Sequence, residues 1–396
     1  MIQRLIAIAL VVAPAAGSPP SNANAEERGE FRAGAAIAKI TPPLGETVVG
    51  GFAPFPADRI HDDLHARCVA MDDGSRRVAI VVCDSLGIGI SEFREARELI
   101  ARETEIDPDH VLMSATHTHS ATRSSSPKYR SVLIRGIADA VRDAVANLEP
   151  ARVAWGGIDE PSEVFNRRWY VADPELRHNP FGGVDQVRMN PPRGHKSLRK
   201  PAGPIDPEIS VLSFQAKDGT PLALLANYSL HYVGGINKGD VSADYFGVFA
   251  GEIEKRLGTE SDHPPLVGVL SNGTSGDINN INFRGGDGRR YDKYEKMREV
   301  AQLVASRVED LCAKLEYRDW VPVDSARSEL VLTMRRPNNE QLKHMEEVES
   351  KSDDDPKHHR YERVYAERVR NLMQGPDEIA VPLQCLRVGD LGIAAI

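Results

Sequence analysis

The chain runs to 396 residues, 41% hydrophobic and 27% charged, which suffices for one large domain or two smaller ones and rules out disorder and fibrous repeats. Lys and Arg number 49 against 58 Asp and Glu, a formal charge of −9. With no basic block to break that balance, a phosphate-tracking surface is excluded and nucleic acid is not expected as a partner.

Residues 5–16 form an apolar run behind Arg4, interrupted by Pro14, and Ala23-Asn24-Ala25 is a small-residue cleavage pattern before Glu26. Residues 1–25 therefore read as an export signal cleaved after Ala25, giving an exported mature chain. The run falls short of the roughly 20 residues that span a bilayer, and so does every later stretch.

After residue 30 the pattern alternates strands with helices, the mark of an α/β fold. Asp72-Asp73-Gly74-Ser75 reads as a hairpin turn pairing Met71 with Arg76, and hence Cys68 with Ala79. Residues 78–83 are continuously apolar, as a strand buried on both faces should be, and are followed by a helix over 91–104 and a strand over 111–115. Residues 129–148 place Leu133, Ile137, Val141, Ala144 and Leu148 on one stripe of an amphipathic helix. Further strands are expected at 151–155, 209–214, 222–228 and 266–270, with helices near 245–257 and 290–315.

Residues 166–204 are rich in Pro, Gly, Arg and Asn without periodicity, and a loop that long is usually functional or mobile. Residues 338–370 are densely charged and read as an exposed helical hairpin turning near Pro356, with His358 and His359 on its surface rather than at a metal site. Residues 391–396 read as a buried strand inside which the chain stops. The hairpin register keeps Cys68 and Cys83 apart, Cys312 falls in a helix and Cys385 in a late strand, so four buried free thiols are expected.

Thr116-His117-Thr118-His119-Ser120 follows the strand over 111–115. In an extended segment residues two apart point the same way, about 6.6 Å apart. Both imidazoles then face one cleft at a strand's C-terminal end, where α/β sheets place their sites. His231, beyond the strand over 222–228, supplies a third imidazole. Three converging histidines can hold zinc with room for carboxylate and water, although each alone is equally a structural residue. The small-residue loop Ser271 to Asn280 follows another strand, and its Gly and Asn residues allow close backbone approach and N–H donors for an oxyanion. Turn chemistry explains that loop equally well, and the Asn272-Gly273-Thr274 glycosylation match reads as incidental.

The order of short motifs adds a resemblance. Ala33 to Pro43, His61-Asp62-Asp63-Leu64-His65-Ala66-Arg67, Ala115 to Ser120, Asn166-Arg167-Arg168, Asn227 to His231, Ser242-Ala243-Asp244-Tyr245 and Gly276-Asp277 together resemble the neutral/alkaline, non-lysosomal ceramidase family, over residues 30–396. The resemblance implies a zinc amidase that cleaves the N-acyl bond of ceramide into sphingosine and fatty acid. Its implied fold is a four-layer α/β sandwich, two mixed β-sheets flanked by helices, with residues 26–396 forming one catalytic domain. It makes His117 and His231 zinc ligands, His119 and Arg167 catalytic, and Gly276 and Asp277 substrate-binding.

Two departures accompany the match. Asn279 occupies a catalytic position where the family carries Ser, although an amide can still orient a carbonyl or water. The chain also stops before the Pro-Gly-Glu segment and the Tyr that complete the family's zinc shell, so the catalytic domain is expected to be C-terminally incomplete. Asp84, Asp244 and Asp277 are candidate substitutes for the missing carboxylate.

The expected partner is a small-molecule or lipid amide, which allows transient contact with a membrane surface, and Phe52-Ala53-Pro54-Phe55-Pro56 is a candidate mouth for it. Two alternatives stay open. One is a non-catalytic lipid- or glycan-binding domain that keeps the fold but has lost the metal. The other is an esterase using Ser120 or Ser275, for which no G-x-S-x-G elbow exists.

Overall fold

Strands that are apolar on both faces need a layer on each side, and this requirement organises the molecule. The computed structural model describes residues 29–395 except 53, 261–262 and 286–287. The expected export signal over residues 1–25 lies outside the described residues. The principal strands are β1 (Arg32–Lys39), β2 (His65–Asp72), β3 (Arg77–Cys83), β4 (Val111–Ala115), β5 (Glu149–Asp159), β6 (Glu208–Ala216), β7 (Pro221–Tyr228), β8 (Val267–Asn272), β9 (Val323–Thr333), β10 (Glu378–Val388) and β11 (Leu391–Ala395). The helices are α1 (Ile90–Glu103), α2 (Arg130–Ala146), α3 (Asp244–Leu257), α4 (Glu295–Cys312), α5 (Asn339–Ser350) and α6 (Glu362–Gln374).

Eight strands form one mixed sheet in the order β8-β7-β6-β5-β1-β2-β3-β4. Both edge pairs, β7 with β8 and β3 with β4, are parallel, and the inner pairs are antiparallel. Alternation within β2 shows why its run is continuous. Cys68 and Ala70 face the core under α1 and α2, where Ala96, Ile100, Leu133 and Val141 are buried. Val69 and Met71 face the opposite core against Val323, Leu386 and Val388 of a second sheet. On the other half of the same helical side, Leu224, Ala226 and Leu270 pack on Phe249, Val304 and Val308 of α3 and α4.

The second sheet is three-stranded and antiparallel, in the order β9-β10-β11. The resemblance implied two mixed sheets in four layers. Among the described residues the layers are helices, the eight-stranded mixed sheet and the antiparallel sheet. The far ends of β9 and β10 form an exposed two-stranded arm, and the α5–α6 pair is inserted at its tip. That pair returns to the body by stacking Tyr361 on Phe52 at 4.0 Å and by taking Phe181 against Met345 and Val348.

Several expectations need correction. Met71 pairs with Val78 and Cys68 with Val81. The turn is longer than expected because the Asp73 carboxylate accepts from the Ser75 and Arg76 N–H groups and holds residues 73–76 out of the ladder. Cys68 and Cys83 are buried free thiols as expected, but Cys312 is half-buried and Cys385 exposed, since β10 has its outer face in solvent. For the same reason β11 is only half-buried along its length. Residues 166–204 contain short paired strands rather than a bare loop, and His358 and His359 are half-buried rather than on the surface.

Candidate metal centre

β4 and β7 run in opposite senses through the sheet, yet the segments that follow them carry His117, His119 and His231 to one place. The chain does not stay extended after β4. His117 adopts φ 66°, a left-handed conformation rare outside glycine, and its N–H donates to the Ser85 carbonyl at 2.9 Å. This turn, rather than the alternation of a strand, brings the His117 and His119 rings edge to face with centroids 4.9 Å apart. His231 closes the group, with its ring centroid 4.7 Å from that of His117.

Each ring is held by the backbone of a neighbouring loop. His117 Nδ1 donates to the Leu86 carbonyl at 2.6 Å, and His231 Nδ1 donates to the Ser275 carbonyl at 2.9 Å. His119 is hydrogen-bonded to the Gly50 backbone. A carbonyl accepts only from a protonated nitrogen, so these bonds leave Nε2 of His117 and His231 as bare lone pairs. His119 Nε2 lies 3.3 Å from each of those two atoms. A tetrahedral ion with bonds of about 2.0 Å holds its donors about 3.3 Å apart, so the spacing fits one ion. Among the described residues, these three histidines are the one group of donors drawn within 4.8 Å of one another. Burial, helped by the neighbouring imidazoles, pushes the pKa of His119 down to about 3, and burial pushes that of His231 down to about 4. Both rings are therefore neutral near pH 7, the form that ligates metal.

The sequence profile described as "Neutral/alkaline non-lysosomal ceramidase, N-terminal" matches residues 31–295. The chain belongs to this ceramidase family. It is 24% identical over 273 residues to neutral ceramidase A of Dictyostelium discoideum, an alignment covering 63% of this chain and 35% of that protein. The fold is similar to that of the neutral ceramidase from Pseudomonas aeruginosa, with a TM-score of 0.65, 18% identity, and coverage of 92% of this chain and 62% of that one. A second solved structure, a ceramidase complexed with C2, aligns with a TM-score of 0.66 at 17% identity, over 92% of this chain and 63% of its own. The chain thus spans about a third of the curated relative's length and under two thirds of each solved chain.

Every site residue named from the ceramidase resemblance lies inside the matched segment. Arg167 is half-buried beside the histidines, and its guanidinium donates to the Gly276 carbonyl at 2.6 and 3.1 Å. Burial lowers its pKa, and its charge in turn helps lower those of His119 and His231. Asp277 accepts from the Asn166 amide at 3.1 Å, and its carbonyl accepts from the Arg167 N–H at 2.7 Å. The structure therefore engages Gly276 and Asp277 in holding Asn166 and Arg167. Asn279 pairs with Phe165 in a short ladder, and its amide donates to Asn190 at 3.3 Å.

The 271–280 loop acts differently from the N–H donor nest read in its sequence. The N–H groups of Gly273, Ser275 and Ile278 are spent on the carbonyls of Tyr228, Gly273 and Ser275. The loop's contribution to the histidines is instead an acceptor, the Ser275 carbonyl. Asn272 donates its amide to the Thr116 carbonyl at 3.0 Å and ties the two strand ends together.

None of the three candidate carboxylates joins the donor group. Asp84 is fully buried in an ion pair with Arg67 at 2.6 Å. Asp244 spends its oxygens on the N–H groups of Val233, Gly234 and Tyr245, and Asp277 is taken by Asn166. Neither Ser120 nor Ser275 presents its hydroxyl to a histidine among the described residues, so the esterase alternative has no nucleophile–base pair. Tyr232 was not anticipated. Its ring stacks on His119 with centroids 3.7 Å apart, and its only sequence signal is its place next to His231.

Proposed function

We propose that this domain is a zinc-dependent amide hydrolase of the ceramidase type, acting on the N-acyl bond of a lipid amide. The observation that carries the assignment is the convergence of three Nε2 atoms with 3.3 Å separations from His119 and with carbonyl-fixed Nδ1 atoms behind them. All-imidazole donors in a compact tetrahedral spacing suit zinc in its usual N-ligated form. His117 and His231 would hold the ion as the resemblance implies, and His119 would act as a third donor. Zinc held there would supply Lewis acidity that polarises an amide carbonyl and lowers the pKa of water towards about 7.

The remaining work belongs to side chains of this chain. Arg167, fixed by Gly276, holds positive charge where an amide oxygen becomes anionic. Burial raises the pKa of Tyr232, so its hydroxyl stays protonated beside His119 as a hydrogen-bond donor. Asn279 would orient a carbonyl or water through its amide, in place of a hydroxyl. Gly276 and Asp277 set the wall against which the substrate lies. Residues 1–25 would direct the chain out of the cytoplasm.

The test is metal analysis of the purified chain together with hydrolysis of an N-acyl sphingoid amide. One zinc per chain and loss of both metal and turnover in His117→Ala are expected. A metal-free protein whose turnover survives that substitution would overturn the assignment. A metal-free protein with no turnover that still binds the same amide would instead select the non-catalytic reading.

A further inference from the structure

A second group of histidines lies where the arm-borne helices meet the body. His178 follows the short turn Pro174–Arg177, His344 sits in α5 and His358 in the connection to α6. The rings of His178 and His358 meet edge to face with centroids 4.8 Å apart, and those of His344 and His358 lie 6.1 Å apart. Nδ1 of His178, Nε2 of His344 and Nε2 of His358 are shielded from solvent without a hydrogen-bond partner. Buried polar atoms left unsatisfied are destabilising, and three at one interface point to a common partner.

We propose that these three imidazoles bind a second divalent transition-metal ion, of the zinc class, that staples residues 178–184 to the α5–α6 pair. The chemistry of the surroundings supports a cation. On its other side His178 Nε2 lies 3.6 Å from the exposed Glu175 carboxylate, a charge that favours a cation nearby. Glu362 accepts from the His358 backbone N–H at 2.8 Å and is itself paired with Lys351 at 3.3 Å. Imidazole nitrogen is a borderline donor that suits zinc, copper or nickel and is a poor ligand for magnesium or calcium. The three nitrogens are not drawn within 4.8 Å as those of the first centre are. Closing them on one ion requires the His344 ring to turn towards His358, so the ion itself would tighten the interface.

The site is independent of the first centre, and the full chain tests it by titration with Zn2+ and with Co2+ as a spectroscopic probe. The expected result is two equivalents for the unaltered chain. The second should weaken at least tenfold in each of His178→Ala, His344→Ala and His358→Ala, while the first is retained. His117→Ala should show the opposite pattern. Limited proteolysis within 351–361 should slow when the second equivalent is added to the unaltered chain, and stay fast in His358→Ala. His358→Gln, checked for unchanged circular dichroism, separates loss of ligation from misfolding. Zinc binding of the unaltered chain that none of the three substitutions at His178, His344 and His358 weakens, whether one equivalent or two, would overturn the proposal.

Discussion

Removing the His119 imidazole is the sharpest test of how the first centre is built. His119 Nε2 stands 3.3 Å from the Nε2 atoms of both His117 and His231, the edge of a tetrahedron with bonds of about 2.0 Å. X-ray absorption of the zinc-loaded protein should therefore report three nitrogen donors at about 2.0 Å, and two in His119→Ala. Loss of an outer-shell partner typically costs about 10–100-fold in metal affinity, so loss of a donor itself should cost about 100-fold or more. At a free zinc concentration 100 times the dissociation constant, binding stabilises the fold by about 2.7 kcal/mol, and at the same concentration a 100-fold weaker site contributes about 0.4 kcal/mol. Urea denaturation with and without zinc reads that difference directly. If His119→Ala keeps both the zinc-dependent stabilisation and the three-donor signal, His119 is not a ligand and its place in the cluster serves only the substrate.

Three further outcomes follow from neighbouring geometry. A Cβ added to Gly50 would lie 2.3 Å from the His119 carbonyl oxygen, so Gly50→Ala should displace that histidine and lower zinc affinity, measured by competition with a chelating dye. Asp244, fully buried at φ 58°, accepts three backbone N–H groups and anchors residues 233–234 behind His231. Asp244→Ala should cost about 3–5 kcal/mol in urea melts, and a loss below 1 kcal/mol would show that the loop holds itself. For the metal-free chain, His119 and His231 titrate at about 3 and about 4 when folded, below the ordinary histidine value of 6.5. The unfolded chain then binds protons first, so stability should be full above pH 6.5 and fall as pH drops towards 4. His119→Ala combined with His231→Ala should flatten that dependence in urea midpoints taken across the range.

Much of the scaffold was legible because both faces of the large sheet are buried. The continuous run over 78–83 appears as Arg77–Cys83, the run over 111–115 as Val111–Ala115, and the stripe of Leu133, Ile137 and Val141 as the buried face of α2. The hairpin register was misread by two residues because the Asp73 side chain organises the turn, and alternation carries no information about a side chain that bonds backward to the main chain. The exposure of Cys385 and the half-burial of β11 were hidden because a strand's sequence does not say whether a second layer covers it.

The candidate site divides in the same way. His117, His119 and His231 could be named in advance, since few residue types ligate metal and these follow strand ends, whereas Arg167 was named only through the ceramidase resemblance. Their arrangement could not. His117 reaches the cluster through a left-handed turn, the 271–280 loop contributes a carbonyl rather than N–H groups, and Tyr232 stacks where no motif marks it. Nor did spacing reveal that His178, His344 and His358 meet, being far apart in the chain and joined only when the arm folds back. Local sequence determined which chemical groups and which regular elements were available, because side-chain chemistry and periodic burial act over a few residues. Tertiary structure decided which atoms face one another, because ring orientation follows from backbone turns and hydrogen bonds contributed by distant segments.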